Sequence, residues 1–224
     1  RDCLLSRGLG DVYKRQAEGT PVRIVRNAET NLGDLCADAY RALSNADIAF
    51  VNGGGIRKQI EAGDITLDDI YSVHPFGNTM CVIRVTGQQV LDALEWGARA
   101  VPSENGGFLQ VSGLTYEIHT GVASSAEKDE NGMFTRVSGE YRVKNVMVGG
   151  QPLELDKTYT LASHNYMLLG HGDGYTMFDG CEVLGEDMMV DNQVLITYIT
   201  TTLGGVVGEQ YANPYGDGRI VAVE

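Results

Sequence analysis

The sequence predicts a mixed α/β (α+β) domain. Segments with strand periodicity and segments with helix periodicity alternate along its 224 residues, without internal repeats or long linkers. Hydrophobic residues make up 43% of the chain, enough to build the core of one large domain or two small ones. No run approaches the roughly 18–20 apolar residues needed to span a bilayer, so no membrane span is expected.

The elements come in this order. "TPVRIVRNAET" (20–30) alternates and is rich in β-branched residues, which predicts a strand ending near Arg26 and leading into a helix. Leu32, Leu35, Cys36, Ala39 and Leu43 then recur at helical spacing, with Thr30 or Asn31 as cap and an end near Ser44-Asn45. "ADIAFV" (46–51) is a short apolar run of strand length, as for a strand buried on both faces. "EAGDITLDDIYSVHPF" (61–76) predicts a turn, a short helix starting near Thr66 and a break at Pro75. "TMCVIRVTG" predicts a strand, and "QQVLDALEWGARAV" an amphipathic helix burying Val90, Leu91, Leu94, Ala98 and Val101. "GFLQVSGLTYEIHT" and "GEYRVKNVMVGG" alternate as strands, with a polar and mobile segment expected between them. "KTYTLASHNYML" predicts a strand that opens onto the glycine-rich "GHGDGY". A helix over "VDNQVLITYITTTLG" and an edge strand in "ANPYGDGRIVAV" complete the chain.

Residues 1–16, "RDCLLSRGLGDVYKRQ", differ in character from the remainder of the chain and carry four of the 17 basic side chains but two of the 30 acidic ones. "DVYKRQ" resembles a translated sequencing adaptor, so residues 1–16 are read as a non-native segment and residues 17–224 as the domain. They lack the apolar core of a signal peptide. The formal net charge of −13 argues against nucleic-acid polymers, whose binding rests on neutralised phosphates, and against anionic membrane surfaces. Cys36, Cys81 and Cys181 are isolated, without CxxC spacing, and read as small core residues.

Four places can carry chemistry. In "FVNGGGIRKQI" (50–60) a strand ends in Gly53, Gly54 and Gly55. Such a turn lets backbone approach a ligand, and its N–H groups can converge on an anion. Arg57 offers a planar fork of donors and Asn52 an amide. The dinucleotide and P-loop fingerprints are both absent, and local chemistry suits a tight structural turn equally well. In "HPFGN" (74–78), Pro75 and Gly77 can present Phe76 outward for stacking, although the segment alone favours a core phenylalanine. In "HNYMLLGHGDGYTMF" (164–178), Asp173 can accept hydrogen bonds from ligand hydroxyls or satisfy its own loop. His164 and His171 are a weak metal signal. Arg26, before a helix N-terminus, suits an anion or solvent alike.

Taken together, "ETNLGDLCADAY", "ADIAFVNGGGIR", "GDITLDDIYSVHPFGNTM", "GGFLQVSGL" and "YTLASHNYMLLGHGDGYTMF" occur in the order seen in the C-terminal domain of 5′-nucleotidases, which this chain resembles. That family includes UDP-sugar hydrolases and 2′,3′-cyclic-nucleotide phosphodiesterases, and the resemblance spans roughly residues 20–222. It implies a four-layered α/β-β-α architecture that holds a nucleotide or nucleoside and rotates to deliver it to an N-terminal metallophosphatase domain. That partner domain would hold two divalent metals of the zinc, manganese, magnesium or cobalt type in Asp-x-His, Asn-His and Gly-His-x-His motifs. None of these motifs occurs here, so this chain is expected to bind no cofactor and to be inactive alone. An extracellular, periplasmic or cell-surface location is also implied.

The resemblance makes Arg57 a phosphate-binding arginine, with Asn52 beside it and Gly54 and Gly55 as the pocket wall. Arg26 matches a second phosphate arginine of bacterial members. Phe76, with Asn78 in the same turn, matches one of two rings that sandwich the base, and Asp173 the carboxylate that binds the ribose hydroxyls. The second ring usually lies six residues before that Asp, where this chain has Met167; Tyr166 is seven before, so either could form the second wall. His171 replaces a usual glycine. A stand-alone, non-catalytic nucleoside- or nucleotide-binding module is the alternative.

Overall fold

The computed structural model describes residues 4–6, 13–15 and 21–224. The boundary expected between residues 16 and 17 lies outside the described residues. Short strands at Leu4–Ser6 and Tyr13–Arg15 pair antiparallel with Gly63–Ile65 and Pro21–Arg23.

A five-stranded sheet organises the fold. Its strands run in the order Glu182–Gly185, Met80–Thr86, Thr158–His164, Ile48–Asn52 and Leu109–Ser112. Ile48–Asn52 and Thr158–His164 are parallel, while Met80–Thr86 and Leu109–Ser112 run against them. The register sets His164 opposite Met80 and Asn52 opposite Leu109. The last residues of the two parallel strands therefore share one sheet edge with the first residues of the two antiparallel ones. Open sheets bind ligands in the crevice beyond the carboxyl ends of their parallel strands, and the loops that carry the candidate site residues leave or enter at this edge.

All five residues of Ile48–Asn52 are buried, as a strand covered on both faces requires. Ala49 and Val51 face a core shared with α1 (Asn31–Ser44), α2 (Leu67–Val73) and α5 (Asp191–Thr197). Ile48 and Phe50 face a second core with α3 (Gly87–Ala98) and a four-stranded sheet. That sheet is ordered Gln151–Pro152, Val143–Val148, Leu114–His119 and Ile220–Val223. The result is the expected mixed α/β architecture, with helices on one face of the central sheet and the second sheet and α3 on the other.

Helix α1 starts and stops where its own sequence dictates. The Thr30 side chain accepts from the Gly33 N–H, and Asn45 closes the helix at φ 54°, ψ 32°. Helices α2 and α3 open with capping boxes, Thr66 with Asp69 and Thr86 with Gln89. The C-terminal helix departs from α geometry at Tyr198–Thr202, where it widens into a π-turn.

Two segments differ from expectation. The strand expected over 20–30 is confined to Pro21–Arg23, and Ile24–Arg26 form a 3₁₀ turn closed by the Asn27 N–H on the Ile24 carbonyl. Tertiary pairing overrides β propensity here. The buried Gln110 amide donates to the Val25 and Ala28 carbonyls, bending this stretch over the Leu109–Ser112 strand. The polar segment after His119 is not simply a loop, because Ala126–Lys128 and Phe134–Val137 pair as an antiparallel hairpin. Phe134 anchors it edge-on against Trp96, with ring centroids 5.7 Å apart.

Cys36, Cys81 and Cys181 are free thiols, the first two buried and the third half-buried. No helix among the described residues is long and apolar enough to cross a membrane.

Candidate functional site

A cavity of about 360 Å³ opens at the sheet edge, lined by Arg26, Asn52, Gly54, Gly55 and Arg57 on one side. Phe76, Asn78, Gly106, Tyr166 and Asp173 complete the lining. Nine of the residues singled out in the sequence, drawn from four separate segments, thus meet around one hollow. Its size falls within the range of small-molecule sites.

The triple glycine has a more specific geometry than a ligand-binding nest. Gly53–Gly55 form a 3₁₀ turn at the end of the Ile48–Asn52 strand. A Cβ on Gly53 would sit 2.1 Å from the Val25 carbonyl oxygen, and one on Gly54 would sit 2.9 Å from that of Gly106. The Gly53 and Gly54 N–H groups donate to the Phe108 and Gly106 carbonyls, both at 2.7 Å. These two amides are therefore committed to protein, not directed at an anion. The glycines serve close backbone packing, which brings the 24–26 turn, the 53–57 turn and Gly106 to one place.

Arg57 lies exposed on the rim beyond this turn. Its backbone N–H is held by the Val73 carbonyl at 3.0 Å. Its guanidinium carbon stands 5.7 Å from the centroid of the Phe76 ring, within cation–π range. Phe76 is 59% exposed, so it is not the core phenylalanine its segment alone favours. Its turn is fixed from below: the Asn78 N–H donates to the Asp191 carboxylate (3.2 Å) and the Asp191 N–H to the Asn78 carbonyl (2.8 Å). Burial raises the Asp191 carboxyl to about 6, against backbone N–H groups that lower it.

Helix α4 (Asn165–Leu168), which begins directly after the Thr158–His164 strand, sets Tyr166 and Met167 in different surroundings. Met167 is fully buried in the second core, and Tyr166 is 44% exposed and faces the cavity. The turn is joined to the Phe76 loop by reciprocal bonds between Asn165 and Thr79.

Asp173 sits in the left-handed region, φ 55°, followed by Gly174 at φ 85°. Its carbonyl accepts from the Trp96 indole N–H at 2.9 Å, and the Trp96 ring carries the Arg99 guanidinium at 3.6 Å. Its carboxylate accepts from Asn52 Nδ2 at 2.6 Å and from the Tyr166 hydroxyl at 3.2 Å. Burial, with the nearby Asp173 charge, raises the Tyr166 phenol, which keeps it a donor. His171 is also left-handed, at φ 55°, where glycine is usual, and pairs with Asp179.

Sequence reasoning missed Gly106, although the Gly106-Gly107 pair marked a close backbone approach. It also missed the role of the buried histidines. His74 and His164 are each 3% exposed, and burial holds both rings near a pKa of about 4, hence neutral. The four histidines do not assemble a two-metal centre. His164 bonds Asn52, His119 bonds Glu117, His171 bonds Asp179, and His74 meets the Gly55 backbone. The one acidic trio among the described residues, Glu29, Asp34 and Asp217, lies apart from the cavity with the Arg219 guanidinium 3.6 Å from Asp34.

A second cleft of about 440 Å³ is wider but walled largely by Val22, Ile24, Val101, Pro102, Ile220 and Ala222. Among the described residues it contains no cationic side chain, so chemistry rather than volume singles out the first cavity.

Comparison with known proteins agrees with this geometry. The model of the family described as "5'-nucleotidase, C-terminal domain" matches residues 11–180. The chain is 36% identical over 203 residues to the trifunctional nucleotide phosphoesterase protein YfkN of Bacillus subtilis, covering 89% of this chain and 13% of that protein. It is 34% identical over 176 residues to the 5′-nucleotidase of Vibrio cholerae, covering 79% of this chain and 28% of that one. The crystal structure of a 5′-nucleotidase precursor from Thermus thermophilus superposes with a TM-score of 0.77 at 30% identity, over 99% of this chain and 40% of the other. The chain thus spans well under half the length of these relatives. With motif order, fold and matched residues in agreement, the chain belongs to the 5′-nucleotidase C-terminal domain family.

Proposed function

We propose that this domain holds the nucleotide for a 5′-nucleotidase-type phosphohydrolase, one that removes phosphate from nucleoside 5′-phosphates or related esters. The observation that carries this reading is the meeting of three chemistries around one cavity. Arg57 and Arg26 supply positive charge, Phe76 and Tyr166 supply two aromatic rings exposed to solvent, and Asp173 supplies a carboxylate. A nucleotide presents the complement: a phosphate for a guanidinium fork, a planar base for stacking, and ribose hydroxyls for an acceptor. The spread of these groups over four segments favours a ligand with three distinct parts over a lone phosphate or sugar.

Hydrolysis belongs to a metallophosphatase domain elsewhere in the parent protein. The residues of this chain do not fit a dinuclear centre, and their part is to bind and orient. Residues 1–16 are, on this reading, a non-native segment, while the family match itself begins at residue 11. A location outside the cytoplasm follows only from the resemblance to the family.

Isothermal titration of the purified chain with AMP, UMP and adenosine tests the reading. Binding of AMP tighter than adenosine, with no phosphate released in the presence of Mn²⁺, is expected. Turnover above background would overturn the division of labour, and no binding of any of the three would overturn the nucleotide reading. The gene upstream of Ala17, read from an independent clone, separates the enzyme from the stand-alone module. Asp-x-His and Gly-His-x-His motifs in frame mark the enzyme, and a start codon near residue 17 marks the module.

A further inference from the structure

Asp173 can serve ligand hydroxyls only while its carboxylate stays aimed at the cavity, and the groups that aim it form a directed chain. Asn52 Nδ2 lies 2.6 Å from Asp173 Oδ2. On the other side of the same amide, Asn52 Oδ1 lies 2.9 Å from His164 Nε2. A carboxylate only accepts, so the amide nitrogen of Asn52 must face Asp173. Its oxygen then faces His164, which obliges His164 Nε2 to carry the ring proton.

The surroundings hold this arrangement. His164 is the last residue of its strand, in register with Met80, so the sheet sets its backbone. The imidazole neighbours both Tyr40 and Tyr166, with ring centroids 6.4 Å and 5.9 Å away. It therefore also supports the ring that walls the cavity. His164 Nδ1 is buried with no hydrogen-bond partner, as suits the unprotonated nitrogen of a neutral ring. A Cβ on Gly55 would press to 2.7 Å from Asn52 Oδ1, so this glycine leaves room for the amide.

We propose that His164 is the positioning residue of the site, locking Asn52 in the one amide orientation that directs Asp173 at the vicinal hydroxyls of a nucleoside. The inference rests on the nucleotide reading for its ligand, while the chain of hydrogen bonds stands independently of it. The site then discriminates by sugar: a ligand with both hydroxyls gains from a carboxylate already oriented, and one without them does not.

The test has two arms. Long-range ¹⁵N–¹H NMR of the unliganded chain at neutral pH should show His164 protonated on Nε2, and protonation on Nδ1 overturns the relay whether or not nucleotides bind. Calorimetry should show that His164→Leu loses about 10- to 100-fold in adenosine affinity, the scale of a hydrogen bond to a charged group, with little change towards 2′,3′-dideoxyadenosine. His164→Gln, whose amide N–H can replace that of Nε2, should recover to within about 3-fold of wild type. An equal loss for both nucleosides, or a Gln variant as weak as the Leu variant, overturns the proposal. If the Leu variant does not fold, the Gln variant decides, and loss of its preference for adenosine counts against the relay. Wild-type chain that binds neither nucleoside sinks the nucleotide reading, and the NMR arm still decides the relay.

Discussion

Asp34 and Glu29 bring carboxyl oxygens within 4.8 Å of each other beneath the C-terminal strand, at 2% and 3% exposure. Glu29 is committed as an acceptor, taking the backbone N–H groups of Asp217, Gly218 and Ile220 at 2.6–2.9 Å. Burial pushes the Asp34 carboxyl up to about 9, against the pull of Arg219. The folded state therefore keeps a proton that the unfolded chain releases above about pH 4. The stability this group contributes falls as pH rises from there to about 9. Asp34→Asn mimics the protonated acid and carries no such pH-dependent penalty. The substitution should raise stability at pH 8 by roughly 1–2 kcal/mol, a Tm increase of several degrees, with a smaller gain near pH 5. Thermal melts across that range check it, and a destabilised Asn variant would show that Asp34 is ionised.

Arg57 stands on the cavity rim, its guanidinium over the Phe76 face. Arg57→Ala should weaken AMP binding by about 1.5–3 kcal/mol and leave adenosine nearly unaffected, because the lost partner is the phosphate. Titration of both ligands makes the comparison, and equal losses would move Arg57 away from the phosphate.

Phe76 is 59% exposed, so its ring contributes little to folding. Phe76→Ala should change stability by no more than about 0.5 kcal/mol while costing about 1–3 kcal/mol in nucleoside affinity through lost stacking. A urea melt and a titration on the same sample separate the two effects. Tyr166→Phe keeps the ring and removes the donor to Asp173, so it should lose less than Tyr166→Ala.

Gly53 has no space for a side chain, since a Cβ would meet the Val25 carbonyl at 2.1 Å. Gly53→Ala should destabilise the domain by roughly 1–3 kcal/mol or more, as overpacking against backbone does. Gly121, with nothing among the described residues within 4 Å of its Cβ position, provides the control, and Gly121→Ala should be close to neutral. Comparable melting temperatures for the two variants would contradict the packing role given to the glycine turn.

Helix α1 was legible in the sequence because its signals are local: a Thr30 cap, a 3.6-residue apolar period and Asn45 in the left-handed region. The Ile48–Asn52 strand was legible for a similar reason, its continuous apolar run. The β-branched residues of 20–30 predict a strand through Arg26, yet distant Gln110 recruits the carbonyls of that segment and turns it. The hairpin at 126–137 escaped because its anchor, the Trp96–Phe134 contact, joins residues 38 positions apart.

Residue identity and motif order alone named the groups of the candidate site and the family they resemble, since those depend on chemistry carried along the chain. Whether Tyr166 or Met167 faces the cavity, which glycine amides are already engaged, and that His164 stands behind Asn52 were decided only on folding. Each depends on which strand ends share a sheet edge and how closely their backbones approach, and those distances arise from packing between segments far apart in the chain, a hundred or more residues in the case of Asn52 with His164 and Asp173.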